Sequence, residues 1–521
     1  MSIFSDSDGD GIADRSAPDT LLPLEAIAPL WEAGEKLALK DAETRLIKSF
    51  VDGDSDGEVD LGEFLDFTSD NAVELRPYLR AADEEEAADI IQFMRGEMIP
   101  RFRNRSREGE GMEQVWKLGD IVHSSPAFSS HPFENYHLLY GDVTYEAFFQ
   151  RWRERPLTIF AGANDGMIHA FNGGTYNQGD DPLTPDTIEK GWYDLEQQGL
   201  NGTTMGDEKW AYIPYNLLPH LKWLTRSDYT HVYYVDCKAK VTDARIFTDS
   251  NGNPLDSDHP HGWGTLLIGG TGVGGKAMVL TDDFGSGREE RSFGPSYFAL
   301  DITNPENPQL LWEFTHPALG FTTGYPAIVR IEAEKGLQQP QDDRWFVLFG
   351  SGPTGYAGTS NQPACLFIVD LKTGKLVRLI VLDGTTGFLS GFISIDYDLD
   401  YNTDIIYTGS SLFSQEEWRG AVYRLSTRRC TDITCNDPEG WHYSTNPDNW
   451  TFSQVITTLQ PITAPPNASL DEKHNLWIYW GTGRYYGFLD HNNRGVQNRF
   501  FAIKDPCFRG NCEDDLSKND L

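Results

Sequence analysis

Basic residues and long apolar runs are what this sequence has little of. Its 521 residues include 43 lysines and arginines against 79 aspartates and glutamates, and the formal net charge is −36. We therefore expect no nucleic-acid partner, because no basic patch is available to neutralise phosphates, and no electrostatic attraction to anionic lipid. No run of about 18 apolar residues occurs, so the sequence predicts no transmembrane segment.

A signal peptide is also missing from the start of the sequence. Residues 1–4 lead directly into acidic positions, without a positively charged region or an apolar core. Taken alone, this start favours the cytoplasm. The cysteines and the calcium-type loops described below favour an exported protein instead. We then expect the signal peptide and an upstream region to lie outside this sequence.

Cysteine is rare, but four of the 6 cysteines form two local pairs. The pairs are Cys430 with Cys435 and Cys507 with Cys512. Neither short loop contains a further Cys-x-x-Cys or histidine ligand, so disulfides are favoured over zinc. We expect both bridges to form in an oxidising compartment outside the cytoplasm. The sequence leaves open whether Cys237 and Cys365 are buried thiols or a further pair.

The predicted secondary structure changes from helices to strands near residue 115. Before it, segments 24–39, 42–51 and 87–95 carry helix formers with apolar residues three and four apart, and they predict helices. The acidic run at 83–86 complements the dipole at the start of the last helix. We expect a helical region over residues 1–115 and a separate β domain over residues 116–521.

The β domain contains a recurring unit of an apolar strand, a glycine-rich turn and a second strand. The units lie at residues 157–172, 265–282, 345–374, 404–426 and 476–505. Imperfect β-repeats with insertions in their turns predict a β-propeller, whose blades bury their faces against one another. An irregular β-sandwich is the alternative.

The densest group of potential metal ligands lies at residues 396–404, where acidic or amide side chains occupy every second position. These residues are Asp396, Asp398, Asp400, Asn402 and Asp404. On a tight loop they can converge on Ca²⁺, which takes about six to eight oxygen ligands in forgiving geometry. The alternative is a solvated acidic turn.

A second candidate loop, residues 52–63, fills the EF-hand pattern completely. Its ligand positions are Asp52, Asp54, Asp56, Glu58 through the backbone carbonyl, Asp60 and the bidentate Glu63. Apolar-periodic segments at 42–51 and 64–67 predict the flanking helices of a helix–loop–helix unit.

A third acidic segment near the start repeats only the opening of the EF-hand pattern. Its acidic residues are Asp6, Asp8, Asp10 and Asp14. Ala17 occupies the place of the twelfth-position glutamate. The segment is therefore either a weaker calcium loop or an acidic chain terminus.

Two motifs suggest chemistry but lack the required context. Residues 270–276 match phosphate-loop patterns, yet Ala277 follows the lysine and the chain continues as a predicted strand rather than a helix. His123 beside Ser124 and the isolated His316 lack any nucleophile signature. We expect neither nucleotide binding nor Ser–His catalysis.

An ordered set of segments resembles the C-terminal β-propeller of the PilC/PilY-type type IV pilus biogenesis and adhesion factors. The matching segments are residues 90–97, 118–126, 160–171, 210–221, 231–236, 263–282, 298–305, 310–314, 366–374, 460–466 and 480–486. We expect a mainly β, modified and quinoprotein-like propeller of about seven blades, preceded by the helical region with its EF-hand loop.

The resemblance also implies a function. Asp396, Asp398, Asp400 and Asp404 match the family's calcium loop, with Asn402 lending its backbone carbonyl. Calcium there is expected to regulate pilus extension against retraction, and the protein to support surface attachment and twitching motility. Minor pilins of the pilus tip and a host or abiotic surface are the expected partners, at the cell surface or pilus tip. The expected cofactor is Ca²⁺, and no enzymatic activity is expected.

Some features depart from the family. Residues 407–411 differ from its usual continuation, with an insertion before Gly420, and Cys237 replaces a usual glycine. No Arg-Gly-Asp tripeptide supports integrin-type binding. Two alternatives therefore stay open: a quinoprotein-like dehydrogenase with a cofactor cavity on the propeller axis, and a carbohydrate-binding propeller.

Overall fold

The computed structural model describes most of the chain. The described residues are 2–3, 17, 20–21, 23, 29–109, 112–182, 190–194, 202–285, 287–332, 343–414, 417–430, 441–487, 490, 497–505 and 508.

Helices are few and short in these residues. The α-helices are α1 Ala33–Leu39, α2 Ala72–Leu75, α3 Glu84–Arg95, α4 Tyr136–Leu139, α5 Val143–Trp152 and α6 Leu218–Leu224. Single 3₁₀ turns occupy Ala42–Thr44, Ser69–Asn71, Tyr215–Leu217, Pro260–Gly262 and Pro447–Asn449. None of the described helices has the length and apolar character needed to cross a membrane.

The β-strands dominate the fold. In chain order they are β1 Ser2–Ile3, β2 Thr20–Leu21, β3 Ile47–Phe50, β4 Phe64–Asp66, β5 Ser106–Gly109, β6 Met112–Val115, β7 Ala127–Ser129, β8 Leu157–Gly162, β9 Ile168–Gly174, β10 Tyr176–Gln178, β11 Gly191–Tyr193, β12 Glu208–Ile213, β13 Lys240–Arg245, β14 Trp263–Gly270, β15 Met278–Asp283, β16 Arg288–Phe293, β17 Tyr297–Asp301, β18 Gln309–Phe314, β19 Ala327–Glu332, β20 Asp343–Gly350, β21 Pro363–Asp370, β22 Leu376–Ile395, β23 Ile405–Ser414, β24 Glu417–Ser426, β25 Arg428–Cys430, β26 Trp441–Tyr443, β27 Thr451–Thr458, β28 Asn467–Leu470, β29 Leu476–Gly481 and β30 Phe500–Lys504. The prediction of a mainly β fold is confirmed.

The strands form a succession of sheets along the chain. The larger sheets run β4-β3-β12-β9-β8-β7, then β13-β14-β17-β18, then β19-β20-β21-β22-β23-β24-β27, and last β28-β29-β30. The pairs β1–β2, β5–β6, β10–β11, β15–β16 and β25–β26 form small hairpins or ribbons. Within the described residues no sheet closes on itself, and the number of blades stays a prediction.

Strand β22 joins two units of four strands. Its first part pairs with β21, with Leu379 opposite Phe367, and its last part pairs with β23, with Ile395 opposite Ile405. The 20-residue strand therefore passes from one four-stranded unit to the next. Units of four antiparallel strands are the size of a propeller blade.

Large aromatic side chains fill the space between the sheets. Trp263 of β14 packs edge-on against Trp345 of β20, with ring centroids 5.8 Å apart. The indole N–H of the buried Trp312 donates to the Leu371 carbonyl at 2.8 Å. Within the sheet β28-β29-β30, the buried Trp480 stacks on its cross-strand neighbour Phe501. These contacts bury apolar area while the indole hydrogen bonds remain satisfied at Trp312.

Of the three helices predicted for the N-terminal region, α3 covers segment 87–95 and α1 Ala33–Leu39 occupies the end of segment 24–39, whereas the prediction for segment 42–51 is wrong. Helix α3 follows the capping residue Asp83, whose carboxylate accepts from the Glu86 amide at 2.8 Å. Segment 42–51, however, contains the strand β3. Ile47 pairs in parallel with Ala211 of β12, so a tertiary contact overrides a weak local helix preference.

The N-terminal region shares a sheet and a core with the later chain. Arg45, just before β3, is buried and forms a bidentate ion pair with Glu208 of β12, at 2.8 and 2.9 Å. Ser49 donates to the Ile213 carbonyl at 2.9 Å. The boundary near residue 115 stays a prediction about folding units, but these contacts cross it.

Candidate metal centres

The loop at residues 396–404 connects β22 to β23, and its backbone amides donate hydrogen bonds to one of its own carboxylates. The backbone amides of Asp400 and Tyr401 each donate to the Asp396 carboxylate at 3.1 Å. Leu399 and Tyr401 have φ angles of 55° and 84°, in the left-handed region. Such a backbone is costly for residues other than glycine, so the carboxylate hydrogen bonds help to hold this tight loop.

Three of the predicted ligands converge within this loop. One carboxylate oxygen from each of Asp396, Asp398 and Asp404 lies within 4.8 Å of the other two. Three carboxylate oxygens grouped in this way can approach one Ca²⁺ ion, which takes oxygen ligands at about 2.3–2.6 Å. The residues of this group therefore fit a calcium ion.

The other two predicted positions, Asp400 and Asn402, lie outside this group of three and are hydrogen-bonded to each other. Asn402 is buried, and its backbone and side-chain nitrogens donate to Asp400 Oδ1 at 2.9 and 3.2 Å. The Tyr443 hydroxyl donates to Asp400 Oδ2 at 2.9 Å and to Asp404 Oδ1 at 2.7 Å. Tyr443 thereby links Asp400 to the converging group.

A guanidinium group also contacts the loop. Arg428 Nε lies 2.5 Å from Asp404 Oδ1, and its Nη1 lies 3.2 Å from Asp398 Oδ2. Arg428 and Tyr443 are cross-strand partners in the β25–β26 hairpin. From the other side, Tyr140 donates to Asp396 Oδ2 at 2.9 Å. The loop is therefore enclosed by parts of the chain far from it in sequence.

Two carboxylates of this loop, Asp396 and Asp404, lie where burial disfavours their ionised forms. Burial raises the pKa of Asp404 to about 7, although Arg428 acts against that rise. Burial also raises the pKa of Asp396, and the neighbouring Asp400 adds to the shift. A bound divalent cation would favour the ionised form of both groups.

The second loop, residues 52–63, has the internal hydrogen bonds of a cation-binding turn. The Gly57 amide donates to Asp52 Oδ2 at 3.2 Å. Glu63 accepts from the Gly53 amide at 2.6 Å and from the Asp60 amide at 3.0 Å. The bidentate candidate therefore faces the loop interior.

Two overlapping groups of carboxylates occur in this loop. Oxygens of Asp52, Asp54 and Glu63 lie within 4.8 Å of one another, and so do those of Asp54, Asp56 and Asp60. Asp52 Oδ1 is buried and has no hydrogen-bond partner within the described part of the chain. A buried oxygen of this kind is costly unless a partner satisfies it, so the donor set fits a calcium ion.

The flanks of this loop are strands, and the EF-hand prediction of flanking helices is wrong. The loop joins β3 to β4, and Phe50 pairs antiparallel with Phe64. Because β3 must pair with β12, the residues before the loop are extended. The ligand spacing is retained without the helix–loop–helix frame.

This loop is attached to the β15–β16 ribbon through Arg291 of β16. Its guanidinium donates to the Asp52 carbonyl and to the Gly53 carbonyl, the latter at 3.2 Å. The Tyr78 hydroxyl also donates to the Asp52 carbonyl, at 3.0 Å. The Glu58 side chain pairs with Lys375. The ligand that the sequence predicts at this position is the Glu58 backbone carbonyl, which this ion pair does not involve.

Several predicted residues lie outside the described part of the chain. They are Asp6, Asp8, Asp10, Asp14, Cys435, Cys507, Cys512 and the side chain of Cys430. The two disulfides and the third acidic loop stay predictions. Cys237 and Cys365 are both buried. Burial raises the pKa of the Cys237 thiol to about 12, so it is protonated at neutral pH.

The glycine run at 270–276 connects strands, as expected from sequence. It follows β14 and precedes β15. A Cβ on Gly274 would lie 2.2 Å from the Tyr234 carbonyl oxygen, so close backbone packing requires glycine there. His123 pairs with Asp236 at 2.5 Å, and Ser124 accepts from the Gly162 amide. His123 and Ser124 therefore have separate structural partners.

Sequence reasoning missed Tyr140, Arg428 and Tyr443. Tyr140 is 256 positions from Asp396, and no local pattern connects them. Arg428 follows the apolar strand β24 and resembles an ordinary surface arginine in sequence. Only the packing of α4 and of the β25–β26 hairpin brings these side chains to the acidic loop.

Successive, mostly antiparallel sheets that include units of four strands are typical of the β-propeller class. The family model for the PilY1 beta-propeller domain matches residues 118–514, and the chain belongs to this family. This result confirms the resemblance to PilC/PilY-type pilus factors.

Curated relatives agree with this assignment. A type IV pilus biogenesis factor PilY1 homolog of Xylella fastidiosa (strain Temecula1 / ATCC 700964) is 26% identical over 433 residues, covering 80% of this chain and 27% of its own length. Type IV pilus biogenesis factor PilY1 of Pseudomonas aeruginosa (strain UCBPP-PA14) is 27% identical over 450 residues, covering 78% of this chain and 30% of its own length. The chain thus spans less than a third of these relatives.

A solved structure was also matched. The crystal structure of the Pseudomonas aeruginosa PilY1 C-terminal domain has a TM-score of 0.49 and 20% sequence identity to this chain. The match covers 76% of this chain and 68% of that one.

Proposed function

We propose that this chain is the calcium-binding propeller of a type IV pilus biogenesis factor. It acts at the cell surface or pilus tip, where calcium at residues 396–404 regulates pilus extension against retraction. Surface attachment and twitching motility depend on that regulation. Family membership and the names of the relatives support the pilus role. The convergence of Asp396, Asp398 and Asp404 carries the calcium part of the proposal.

Asp396, Asp398 and Asp404 would hold the ion, with Asp400 and the Asn402 carbonyl completing the set. The bound ion would supply positive charge that keeps these carboxylates ionised. Asp404 lies at the start of β23, and its carbonyl accepts from the Thr427 amide at 3.0 Å. Movement of Asp404 toward a cation is therefore transmitted directly to two strands of the same sheet.

The β25–β26 hairpin supplies the response to calcium in this proposal. Arg428 forms ion pairs with Asp398 and Asp404, and a bound cation would compete with it for both carboxylates. When those carboxylates turn to a cation, their attraction for Arg428 weakens. The hairpin then has a second stable position. Calcium shifts the equilibrium between the two positions of the hairpin by as much as its binding affinity differs between them.

The loop at residues 52–63 has a structural role in this proposal. The orphaned oxygen of Asp52 and the position of Glu63 support calcium binding there. The Arg291 and Tyr78 contacts attach that loop to the neighbouring sheet. Calcium at this site would stabilise the joint between the first strands and the rest of the propeller.

The partners in this proposal are minor pilins of the tip complex and a host or abiotic surface. The activity is non-enzymatic, which the description of the relatives as pilus biogenesis factors supports. The compartment is outside the cytoplasm, where millimolar calcium can fill weak sites.

Calorimetric titration of the chelator-stripped chain with Ca²⁺ tests the proposal. We expect binding at both described loops, and Asp404→Ala should remove one of these sites. Asp448→Asn, at an exposed carboxylate, is the matched control and should leave both. In the bacterium, Asp404→Ala in the full-length protein should abolish the calcium dependence of twitching motility. Unchanged site number and unchanged motility would show that residues 396–404 form only an acidic turn.

A further inference from the structure

A cavity of about 1150 Å³ opens where the sheets meet. Its wall includes Lys240 at the start of β13, Tyr325 before β19, Phe392 near the end of β22 and Asn467 at the start of β28. Contributions from successive sheets are expected at the central channel of a propeller. The wall therefore consists of strand ends and connecting loops.

Two lysines bring positive charge to the wall of this cavity. The Lys238 and Lys240 ammonium groups lie 5.2 and 4.9 Å from the centroid of the same Tyr325 ring. Across the described residues, no carboxylate lies within ion-pair distance of either group. Asp236, the carboxylate of the described wall, already pairs with His123.

This charge arrangement is unusual for the molecule as a whole. The chain has a formal net charge of −36, yet two ammonium groups lie here beside one tyrosine ring. Burial lowers the pKa of Lys240, Glu134 opposes that shift, and the nearby Lys238 adds to it to a smaller extent. An anionic ligand would relieve the repulsion between the two ammonium groups.

Tyrosines form much of the remaining wall. They are Tyr233, Tyr325, Tyr356, Tyr485 and Tyr486. Tyr356 and Tyr485 expose 51% and 72% of their surface, so they are available to a ligand. A tyrosine offers both an apolar ring face and a hydroxyl group. Ser394, Thr463 and Asn467 add neutral hydrogen-bonding groups to the wall.

We propose that this cavity binds an acidic saccharide, a chain of sugar rings that carry carboxylates. Its carboxylates pair with Lys238 and Lys240, and its rings stack on the tyrosines while its hydroxyls bond the neutral polar groups. An extended peptide usually pairs along an open strand edge, whereas strand ends line this wall. The inference rests on the proposed surface role for its biological meaning, because it names the chemistry of the surface recognised.

Calorimetry with trigalacturonic acid as the probe tests the inference, at fixed free calcium and with ligand-only blanks. The trimethyl ester of the same trisaccharide removes the charge and keeps the rings, and a triglutamate peptide keeps the charge and removes the rings. We expect binding of the acid, at least about tenfold weaker binding of both comparison ligands, and weaker binding at higher salt.

Variants locate the binding site. Lys238→Met and Lys240→Met should each weaken the affinity for trigalacturonic acid about tenfold. Lys473→Met, at an exposed lysine of the β28–β29 turn, is the matched control and should bind like the parent. Tyr325→Phe should retain binding and Tyr325→Leu should lose it. Thermal unfolding of each variant establishes that it is folded.

Several results would overturn the inference. No binding of the acid, equal binding of its ester, or unchanged affinity of both lysine variants would each do so. Triglutamate binding as tightly as the trisaccharide would make this a site for acidic peptides instead. Asp404→Ala should bind the saccharide normally. If Asp404→Ala loses the calcium response while the parent protein fails to bind the saccharide, this inference is refuted and the proposed function is retained.

Discussion

Arg428 places a positive charge against two carboxylates of the proposed calcium loop. Its guanidinium contacts Asp398 and Asp404 and therefore stabilises the loop when no metal is bound. The same charge repels an incoming divalent cation. The loop can thus remain folded over a range of calcium concentrations, at a cost in calcium affinity.

Replacing Arg428 should separate these two effects. We expect Arg428→Met to raise the calcium affinity of this loop about fivefold to tenfold, because it removes about 1 kcal/mol of repulsion. The calcium-free protein should at the same time become less stable. Calorimetry and thermal unfolding measure the two changes. Arg419→Met, which alters an exposed pair with Glu417, should change neither, and a lower calcium affinity of Arg428→Met would contradict this view.

Glu63 is the candidate bidentate ligand of the loop at residues 52–63. Its two oxygens accept amide hydrogens from Gly53 and Asp60, and we propose that they also hold the ion. Glu63→Gln should weaken calcium binding at this loop by at least about tenfold through loss of the bidentate ligand. Calorimetry should still detect the site at residues 396–404 unchanged. Loss of both sites together would mean that the two loops are coupled.

At the scale of elements, strand β3 connects the N-terminal region to the sheet that contains β12. The buried pair of Arg45 with Glu208 accompanies this pairing. Removing one partner of a buried ion pair leaves the other charge uncompensated in a medium of low polarity.

Arg45→Met should therefore destabilise the fold by about 3–5 kcal/mol. Lys48→Met alters the more exposed pair with Asp66 and should cost less than about 1 kcal/mol. Denaturant unfolding followed by tryptophan fluorescence measures both. If the regions on either side of residue 115 fold as one unit, Arg45→Met lowers a single transition. Two separate transitions, with only one shifted, would support the domain boundary that the sequence predicts.

The same buried network makes stability depend on pH through His169 of β9. Burial disfavours its charged form, but Asp165 and Glu208 outweigh burial and raise the pKa of His169 to about 9. The folded protein then holds a proton that the unfolded chain, with a histidine pKa near 6.5, releases. The stabilisation is complete below about pH 6.5 and is lost as the pH rises through about 9.

We expect the free energy of unfolding to fall by up to about 3 kcal/mol over this pH range from this group alone. Chemical denaturation at a series of pH values measures the decline. His169→Gln should be less stable at pH 6 and should lack this part of the decline. His474→Gln, at an exposed turn, should follow the parent curve. If the free energy of unfolding changes by the same amount in the parent and in His169→Gln between pH 6.5 and 9, the assignment to His169 is wrong.

At the scale of the whole molecule, the proposed calcium ions would offset part of a formal charge of −36. Because the proposed ligands are assembled only in the folded chain, calcium should stabilise it by mass action. A site occupied at a calcium concentration of 100 times its Kd contributes about 2.7 kcal/mol.

Differential scanning calorimetry should show a higher Tm in calcium than in chelator. Magnesium should replace calcium poorly, because it requires a smaller octahedral set of ligands. The double variant Asp404→Ala with Glu63→Gln should lose most of the calcium effect. Equal Tm values of the parent protein in calcium and in chelator would refute calcium binding at both loops.

The sequence by itself determined the mainly β fold, helix α3 and the spacing of the two acidic loops. These features depend on local rules: strand periodicity, glycine at turns, a capping aspartate and the reach of side chains within a few residues. That reach is why Asp396, Asp398 and Asp404 meet in one short loop, as their spacing predicted.

Only the tertiary structure decided which distant segments become neighbours. The segment 47–50 is a strand because β12, 164 positions away at the Ser49–Ile213 bond, pairs with it. Arg428, Tyr443 and Tyr140 reach the acidic loop through a hairpin and a helix, and Lys238 and Lys240 share a cavity where the sheets meet. Such contacts arise from the packing of whole elements. Local periodicity is silent about them because it depends only on residues a few positions apart.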